Sequence, residues 1–235
     1  MPDKLTRLIL LPGMHGTAEL FSELMRVMPE PKHIQALCYP TDASPSYEQL
    51  LAMVRFMVPE SEPYFLLAES YSTPLAIEFA ATNPPNLKGL ILCAGFASSP
   101  LTGPKRLLAS ILAPVLFHLR IPSVVINHFL LGPDAPESLQ VAVRAAIDAV
   151  EPGVMAGRLR MVLRCDMRQA LTKVAVPLLY IQATKDKLVP PSCLAEIRRI
   201  RPDIRVVQID GPHLILLRES KQSAEAIARF IHELQ

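Results

Sequence analysis

Residues 63–80 read PYFLLAESYSTPLAIEFA, and the pattern changes half-way along this stretch. Residues 64–68 are a short apolar run of the kind that forms a buried strand. From Leu75 onward the apolar residues are spaced to bury a helix face. Ser70 lies between the two patterns, and Pro74 suits the first helical turn because a backbone N–H there has no intrahelical acceptor. The stretch predicts a strand, a tight turn at Ser70 and a helix.

A serine at a tight strand-to-helix turn is typical of the nucleophile elbow, whose usual form is G-x-S-x-G. The positions two before and two after the serine must be small, and here they are Ala68 and Ser72 rather than glycine. The turn pushes the serine side chain outward, and the free N–H groups of the new helix face any negative charge that develops there. The alternative is a serine that caps an ordinary helix.

The rest of the chain alternates between strand and helix patterns, which predicts an α/β fold with a mostly parallel, doubly wound sheet. The predicted strands are residues 5–11, 33–39, 64–68, 87–93, 177–183 and 204–209. Residues 98–173 lack a strand pattern and instead contain several helix patterns. We therefore expect a helical cap at 98–173, inserted after the fourth strand, and a core formed by 1–97 and 174–235.

Composition excludes several functional classes. The 235 residues carry a net charge of +2, which does not favour binding to nucleic acid or an anionic membrane. No metal, nucleotide or dinucleotide motif is present, so no cofactor is expected. The apolar run at 107–117 is shorter than the roughly 20 residues that cross a bilayer, so no membrane insertion is expected. Four unpatterned cysteines and an N-terminus unlike a signal peptide predict a cytoplasmic protein with free thiols.

Four loops carry residues suited to ester hydrolysis. That reaction needs a nucleophile, a base, a group that orients the base, and donors for the oxyanion. Loops after parallel strands meet at one edge of a sheet. Met14, Ser70, Asp186 and His213 follow the first, third, fifth and sixth predicted strands. These side chains are therefore expected to lie close together.

Four motifs resemble those of the α/β-hydrolase family, in which the triad order is Ser, Asp, His. They are LPGMHGTAELF at 11–21, AESYS at 68–72, VPLLYIQATKDKLVP at 176–190 and DGPH at 210–213. The chain is most similar to small capped carboxylesterases, including the pimeloyl-carrier-protein methyl esterase type. It departs from the family pattern at Pro12, where histidine is usual, at Ala183, where glycine is usual, and in lacking both elbow glycines.

The resemblance implies a role for each of the four loops. Ser70 is the predicted nucleophile, His213 the base and Asp186 the acid that orients it. The backbone N–H groups of Met14 and Tyr71 are the predicted oxyanion donors.

Three alternatives stay open at this point. Asp186 lies between two lysines and would otherwise be a solvated turn acid. Asp210 is a rival acid near His213, although we expect it to cap the following turn. His15 is expected to be an exposed loop histidine, with substrate contact as the alternative.

The expected function is hydrolysis of a carboxylic ester or thioester through an acyl-enzyme on Ser70. The same triad could instead serve acyl transfer, perhydrolysis or carbon–carbon cleavage, and a non-catalytic ligand-binding protein could share the fold. The cap segment contains a dense set of apolar residues, comprising Leu107, Leu108, Ile111, Leu112, Val115, Leu116 and Phe117. We expect one side of this set to pack on the core and the other to line a pocket for an apolar acyl or alcohol group. Packing on other cap helices or on a second subunit is the alternative.

The expected partner is therefore a small-molecule ester with an apolar group, and an acyl ester bound to a carrier protein is a further candidate. Basic residues of the cap segment would form the docking patch for an acidic carrier protein, although most are expected on solvated helix faces. They are Lys105, Arg106, Arg120, Arg144, Arg158, Arg160, Arg164 and Arg168.

Overall fold

Six parallel strands form a sheet in the order β2-β1-β3-β4-β5-β6. This computed structural model describes residues 6–29, 33–119 and 121–235, without the side chains of 110 and 113–116. The strands are β1 (Arg7–Leu11), β2 (Ile34–Ala36), β3 (Tyr64–Glu69), β4 (Leu87–Cys93), β5 (Leu178–Ala183) and β6 (Arg205–Ile209). The predicted mostly parallel sheet is confirmed. Leu5, at which the first strand is expected to begin, lies outside the described residues.

Eleven α-helices are found in the described residues. They are α1 (Ser22–Val27), α2 (Tyr47–Met57), α3 (Thr73–Ala81), α4 (Gly103–Leu116), α5 (Ser123–Ile126), α6 (Glu137–Asp148), α7 (Pro152–Arg164), α8 (Arg168–Lys173), α9 (Pro191–Ile200), α10 (Ile215–Arg218) and α11 (Ser220–His232). A π-helical turn, Asn127–Leu131, follows α5. Each of the six strands is followed by at least one helix, which is the alternation that the sequence predicts.

Successive side chains of a strand point to opposite faces of the sheet, and helices pack against both faces. Ile9, Leu66 and Leu92 belong to one hydrophobic cluster, which also contains residues of α2, α3 and α9. Leu10 and Ile91 belong to the other, which contains residues of α1, α10 and α11. Burial on both faces explains why β3 and β4 read as nearly continuous apolar runs rather than as alternating patterns.

Helices α4 to α8 all lie between β4 and β5 in the chain. This segment has no strand longer than a single bridge, between Ser98 and Asp166, in its described part. The assignment of residues 98–173 as a separate cap domain stays a proposal.

Helix α4 differs from its expected packing. Its side chains at Leu107, Leu108 and Ile111 are 65%, 57% and 64% exposed, and Leu112 is also exposed. The expectation that these residues are buried on more than one side is therefore wrong, because α4 packs mainly against α7. Phe117 does line a cavity, whereas the side chains at 115 and 116 lie outside the described part of the chain. No described helix is both long and apolar enough to cross a membrane.

Candidate active site

Ser70 lies at the turn between β3 and α3. The strand ends at Glu69, a single 3₁₀ turn covers Ser70–Ser72, and α3 begins at Thr73. Ser70 has a φ of 48°, in the left-handed region that residues with a Cβ rarely adopt. Such strain is costly and persists where the surrounding structure enforces it, which is common at functional positions. The tight turn that the sequence predicts is present.

The structure brings Ser70, His213 and Asp186 into one hydrogen-bonded chain. Ser70 Oγ lies 2.9 Å from His213 Nε2, and His213 Nδ1 lies 2.7 Å from Asp186 Oδ2. A carboxylate only accepts hydrogen bonds, so Nδ1 carries the proton and Nε2 is free to accept from the serine hydroxyl. The side chains of His213 and Asp186 are almost fully buried, at 4% and 6% exposure. This geometry can remove the hydroxyl proton of Ser70 as its oxygen attacks.

Asp186 is held by its own backbone turn. Its Oδ1 accepts from the N–H groups of Leu188 and Val189 at 2.8 and 2.9 Å, which leaves Oδ2 for His213. The buried side chain contradicts the alternative of a solvated turn acid. Asp210 accepts from Thr184 Oγ1 and pairs with Lys185 Nζ, both on the loop after β5. Our expectation that Asp210 caps the following turn is wrong, because these cationic and hydroxyl donors occupy its oxygens.

Met14 and Tyr71, whose N–H groups are the predicted oxyanion donors, line the same cavity as Ser70. Met14 lies in the loop after β1, residues 12–18, which we call the β1 loop. A tight turn shapes this loop, with Gly16 N–H donating to Gly13 O at 3.0 Å. Within the described chain, the Met14 N–H donates to no protein acceptor. Tyr71 lies in the first turn of a helix, where backbone N–H groups have no intrahelical acceptor. The role of these two N–H groups as oxyanion donors stays a prediction.

Ser72 joins the elbow to the β1 loop. Its hydroxyl donates to the carbonyl of Pro12 and accepts from Tyr39, whose hydroxyl lies 2.6 Å away. Ser72 and Tyr39 are buried, and burial raises the pKa of Tyr39 well above its ordinary value, so its phenol stays a donor. From the sequence, Ser72 was expected only to be a small residue in place of glycine, and its hydrogen bonds to Pro12 and Tyr39 were not predicted. Two polar side chains buried in apolar surroundings must find partners, but the sequence does not say which.

His15 is buried rather than exposed, at 6% relative exposure, so our expectation for it is wrong. Its Nδ1 accepts from the Thr17 N–H at 3.2 Å, and its Nε2 faces Glu69 Oε2 at 3.4 Å. With Nδ1 as an acceptor, the ring proton is on Nε2 and points at the carboxylate. Glu69, which directly precedes Ser70, is also buried and was missed from sequence. The sequence feature that could have identified Glu69 is its place as a single acid directly after the apolar run at 64–68.

A cavity of about 560 Å³ opens beside Ser70 and His213. Its walls are mostly apolar, and they include Leu20, Phe96, Phe117, Ile126, Val143 and Leu163. The cap segment supplies four of these six side chains. Ligand sites of small-molecule enzymes have this composition, with many apolar groups and a few convergent polar ones.

The basic residues of the cap segment do not form one solvated set. Arg158 is 3% exposed, and so contradicts the expectation of solvation. Arg144 pairs with Asp148, and Arg168 pairs with Asp166. Arg120 lies outside the described residues. Lys105, Arg106 and Arg164 are exposed and Arg160 is half-buried. The described residues hold no cluster of three or more His, Cys, Asp or Glu side chains suited to a metal ion.

A family model supports the sequence resemblance. The model described as serine aminopeptidase, S33, matches residues 41–205, more than half of the chain. The matched part contains Ser70 and Asp186, whereas Met14 and His213 lie outside it. No curated protein sequence matches this chain significantly.

Solved structures match nearly the whole chain at low identity. MenH from S. aureus is 17% identical, with a TM-score of 0.80 over 99% of this chain and 96% of that one. A lipase-esterase related protein from Clostridium acetobutylicum ATCC 824 is 17% identical, with a TM-score of 0.78 over 97% and 95%. A thermophilic esterase from Thermogutta terrifontis is 18% identical, with a TM-score of 0.77 over 97% and 90%. At these identities the match concerns the fold.

Proposed function

Because this chain belongs to the α/β-hydrolase family described as serine aminopeptidase, S33, we propose that it cleaves a carboxylic ester or thioester that carries an apolar group. The observation that carries this proposal is the hydrogen-bonded chain from Ser70 through His213 to Asp186. It opens onto an apolar cavity large enough for a small-molecule acyl ester.

The reaction begins at Ser70. Its Oγ attacks the carbonyl carbon while its proton passes to His213 Nε2, which gives a tetrahedral intermediate and an imidazolium. Asp186 stabilises that imidazolium through Nδ1–H. The imidazolium then gives its proton to the leaving alcohol or thiol as the acyl-enzyme forms. Water, deprotonated by the same histidine, attacks the acyl-enzyme, and the carboxylic acid leaves as Ser70 recovers its proton.

Charge on the carbonyl oxygen is stabilised by two backbone donors, the N–H groups of Met14 and Tyr71. Donors that are already in position stabilise the transition state more than water molecules do, because they need no reorganisation as the charge develops. Ser72 supports this role by tying the carbonyl of Pro12 to the elbow turn.

The cavity favours an apolar substrate group. Each methylene that leaves water for an apolar wall contributes about 0.8 kcal/mol, so two extra carbons are worth roughly tenfold in the specificity constant. An acyl ester bound to a carrier protein stays a prediction, since only part of the basic set of the cap segment is exposed and free of acidic partners.

An ester fits this cavity better than a peptide with a free amino terminus. Aminopeptidases, after which the family is described, must bind a positively charged amino group. No Asp or Glu side chain lines this cavity in the described part of the chain, whereas Lys187 lies at its wall. A lysine would repel the amino group of such a substrate.

The proposal is tested with a fluorophosphonate probe, which forms a covalent bond with an activated serine. The wild-type protein is expected to take up one probe per chain, on the peptide that contains Ser70, as shown by mass mapping. Ser70→Ala is expected to keep its circular dichroism spectrum and to lose both labelling and turnover of p-nitrophenyl esters by several orders of magnitude. Labelling at another residue, or an active Ser70→Ala enzyme, would overturn the proposal.

A further inference from the structure

We infer that Arg158 is a positioning residue, through which helix α7 holds the β1 loop in the shape that presents the Met14 N–H to the reacting carbonyl. This inference rests on the proposed function, because it concerns the oxyanion donor of that reaction. It assigns a role to a residue far from Met14 in the sequence, separated from it by 144 positions.

The guanidinium of Arg158 bridges two loops of the core. Its Nη1 donates to the carbonyl of Met14 at 2.7 Å, and its Nη2 donates to the carbonyl of Pro40, also at 2.7 Å. Its Cζ lies 5.7 Å from the ring centroid of Tyr39, the residue that also donates to Ser72. One side chain of α7 therefore contacts the β1 loop, the chain after β2 and the ring that supports the elbow.

Burial of the Arg158 guanidinium costs free energy because the charged group loses its hydration. An incidental contact does not explain why the protein keeps this residue buried. No carboxylate of the described residues lies within ion-pairing distance of Arg158. Burial lowers the pKa of the guanidinium, and the neighbouring Tyr71 and Tyr39 oppose that shift. A guanidinium remains charged in proteins, and its planar fork can donate to two acceptors at once. The charge is thus directed at two backbone carbonyls, whose positions it fixes.

The β1 loop is shaped to receive the guanidinium. Gly16 has a φ of 75°, and a Cβ at this position would lie 2.6 Å from Arg158 Nη1. Glycine adopts this backbone conformation without strain and leaves the space that the guanidinium occupies. Gly157 similarly lets α7 approach the chain after β2, since a Cβ there would lie 2.8 Å from Ser44 Oγ.

These contacts fix the peptide groups on both sides of Met14. Before Met14, the carbonyl of Gly13 accepts from the Gly16 N–H. After it, the carbonyl of Met14 accepts from Arg158. With both flanking peptides held, the direction of the Met14 N–H is set before substrate arrives. Displacement of a reacting group by about 1 Å can cost roughly 100-fold in rate, so holding this donor matters for turnover.

Helix α7 also supplies Met155, Leu159 and Leu163 to the wall of the substrate cavity. The helix that encloses the substrate is therefore the helix that holds the oxyanion donor. A shift of α7 would change both at once, so the shape of the cavity and the position of the oxyanion donor depend on the same helix.

The test compares Arg158→Met and Arg158→Lys with Arg160→Met as a matched control. Methionine keeps a long apolar stem but cannot donate, and lysine keeps the charge but lacks the planar fork that reaches both carbonyls. Arg160 lies on the same helix and forms no hydrogen bond or ion pair with the described residues. For each variant we would measure kcat and KM on a p-nitrophenyl ester, the inhibition constant of a boronic acid that mimics the tetrahedral intermediate, and the unfolding temperature.

Arg158→Met is expected to lower kcat by about 10–100-fold with KM within about threefold, and to weaken the boronic acid in proportion to kcat/KM. Arg158→Lys is expected to be intermediate, and Arg160→Met to match the wild type. A folded Arg158→Met or Arg158→Lys enzyme with a lower unfolding temperature but unchanged kcat and boronic acid affinity would overturn the inference. Failure of the wild type to react with the fluorophosphonate would instead refute the proposed function, whatever the variants do.

Discussion

Asp186 divides its two carboxylate oxygens between a backbone turn and His213. Oδ1 accepts from the N–H groups of Leu188 and Val189, while Oδ2 lies 2.7 Å from His213 Nδ1. The turn fixes the carboxylate, and the carboxylate fixes the ring. An acid built into its own loop in this way can set both the orientation and the tautomer of the histidine.

Asp186→Asn is expected to lower kcat by about 10³–10⁴-fold in ester hydrolysis. The amide can keep its oxygen on the backbone N–H groups, which turns its NH₂ group toward His213 Nδ1. That arrangement favours the ring proton on Nε2, where it blocks acceptance of the Ser70 proton. Steady-state kinetics on a p-nitrophenyl ester measures the loss.

Asp210→Asn is the control for this prediction. Hydrogen bonds from Lys185 and then Thr184 hold the pKa of Asp210 below its ordinary value, so this carboxylate is charged and paired away from His213. The variant is expected to turn over at close to the wild-type rate. A large loss in Asp210→Asn together with an active Asp186→Asn would show that the acid is misassigned.

The cavity beside Ser70 predicts a preference for longer acyl chains. In a series of p-nitrophenyl esters, the specificity constant is expected to rise roughly tenfold from acetate to butyrate, because two methylenes leave water. Leu159→Trp replaces a leucine of the cavity wall with a larger indole side chain. Because the cavity becomes smaller, the preference for octanoate over acetate is expected to fall. Leu107→Trp, at an exposed position of α4, is expected to leave the series unchanged. A flat or falling wild-type series would mean that the cavity does not hold the acyl group.

The sheet and the loops that carry the site could be predicted because their signals are local. A buried parallel strand reads as an apolar run, and the residue that follows it lies at the edge where sites form. Ser70 and Asp186 each follow such a run, whereas His213 follows the edge strand β6, in which Arg205 and Gln208 are exposed. The second strand is shorter than the predicted 33–39 and ends at Ala36. The residues after it contact the β1 loop instead, where the Tyr39 N–H donates to Gly16 O.

The supports of the site could not be predicted because they join distant positions. Ser72 and Pro12 are 60 positions apart, and Arg158 bonds to a loop at the other end of the chain. The sequence around Arg158 does not distinguish it from Arg160 and Arg164, although the structure shows that these two are more exposed. The dense apolar set of α4 was misjudged for a related reason, since periodicity identifies an apolar face but not whether another element covers it.

The four cysteines are expected to differ sharply in reactivity. Burial is the main cause that raises the pKa of Cys165 to about 12 and of Cys193 to about 11, and it raises that of Cys93 well above the ordinary value. A raised pKa lowers the fraction of reactive thiolate at neutral pH. Cys38 is exposed. Titration of the folded protein with Ellman's reagent at about pH 8 should therefore show one fast thiol, absent in Cys38→Ser, with the other three reacting on unfolding. Any fast thiol that remains in folded Cys38→Ser would contradict this.

Ser72 and Tyr39 are expected to be energetically coupled. Tyr39→Phe removes one donor and should cost about 0.5–1.5 kcal/mol of unfolding free energy, because Ser72 keeps its bond to Pro12. Ser72→Ala should cost about 1–3 kcal/mol, because it leaves the buried Tyr39 hydroxyl and the Pro12 carbonyl without partners.

The double variant should lose less unfolding free energy than the sum of the two single variants. Without both hydroxyls only the Pro12 carbonyl lacks a partner, whereas Ser72→Ala also leaves the Tyr39 hydroxyl unpaired. Urea unfolding of the four proteins measures the cycle. Tyr64→Phe is the matched control, because the buried Tyr64 hydroxyl has no hydrogen-bond partner among the described residues, and its removal should be neutral or stabilising. Additive losses at positions 39 and 72 would show that the short contact between the two hydroxyls contributes nothing to stability.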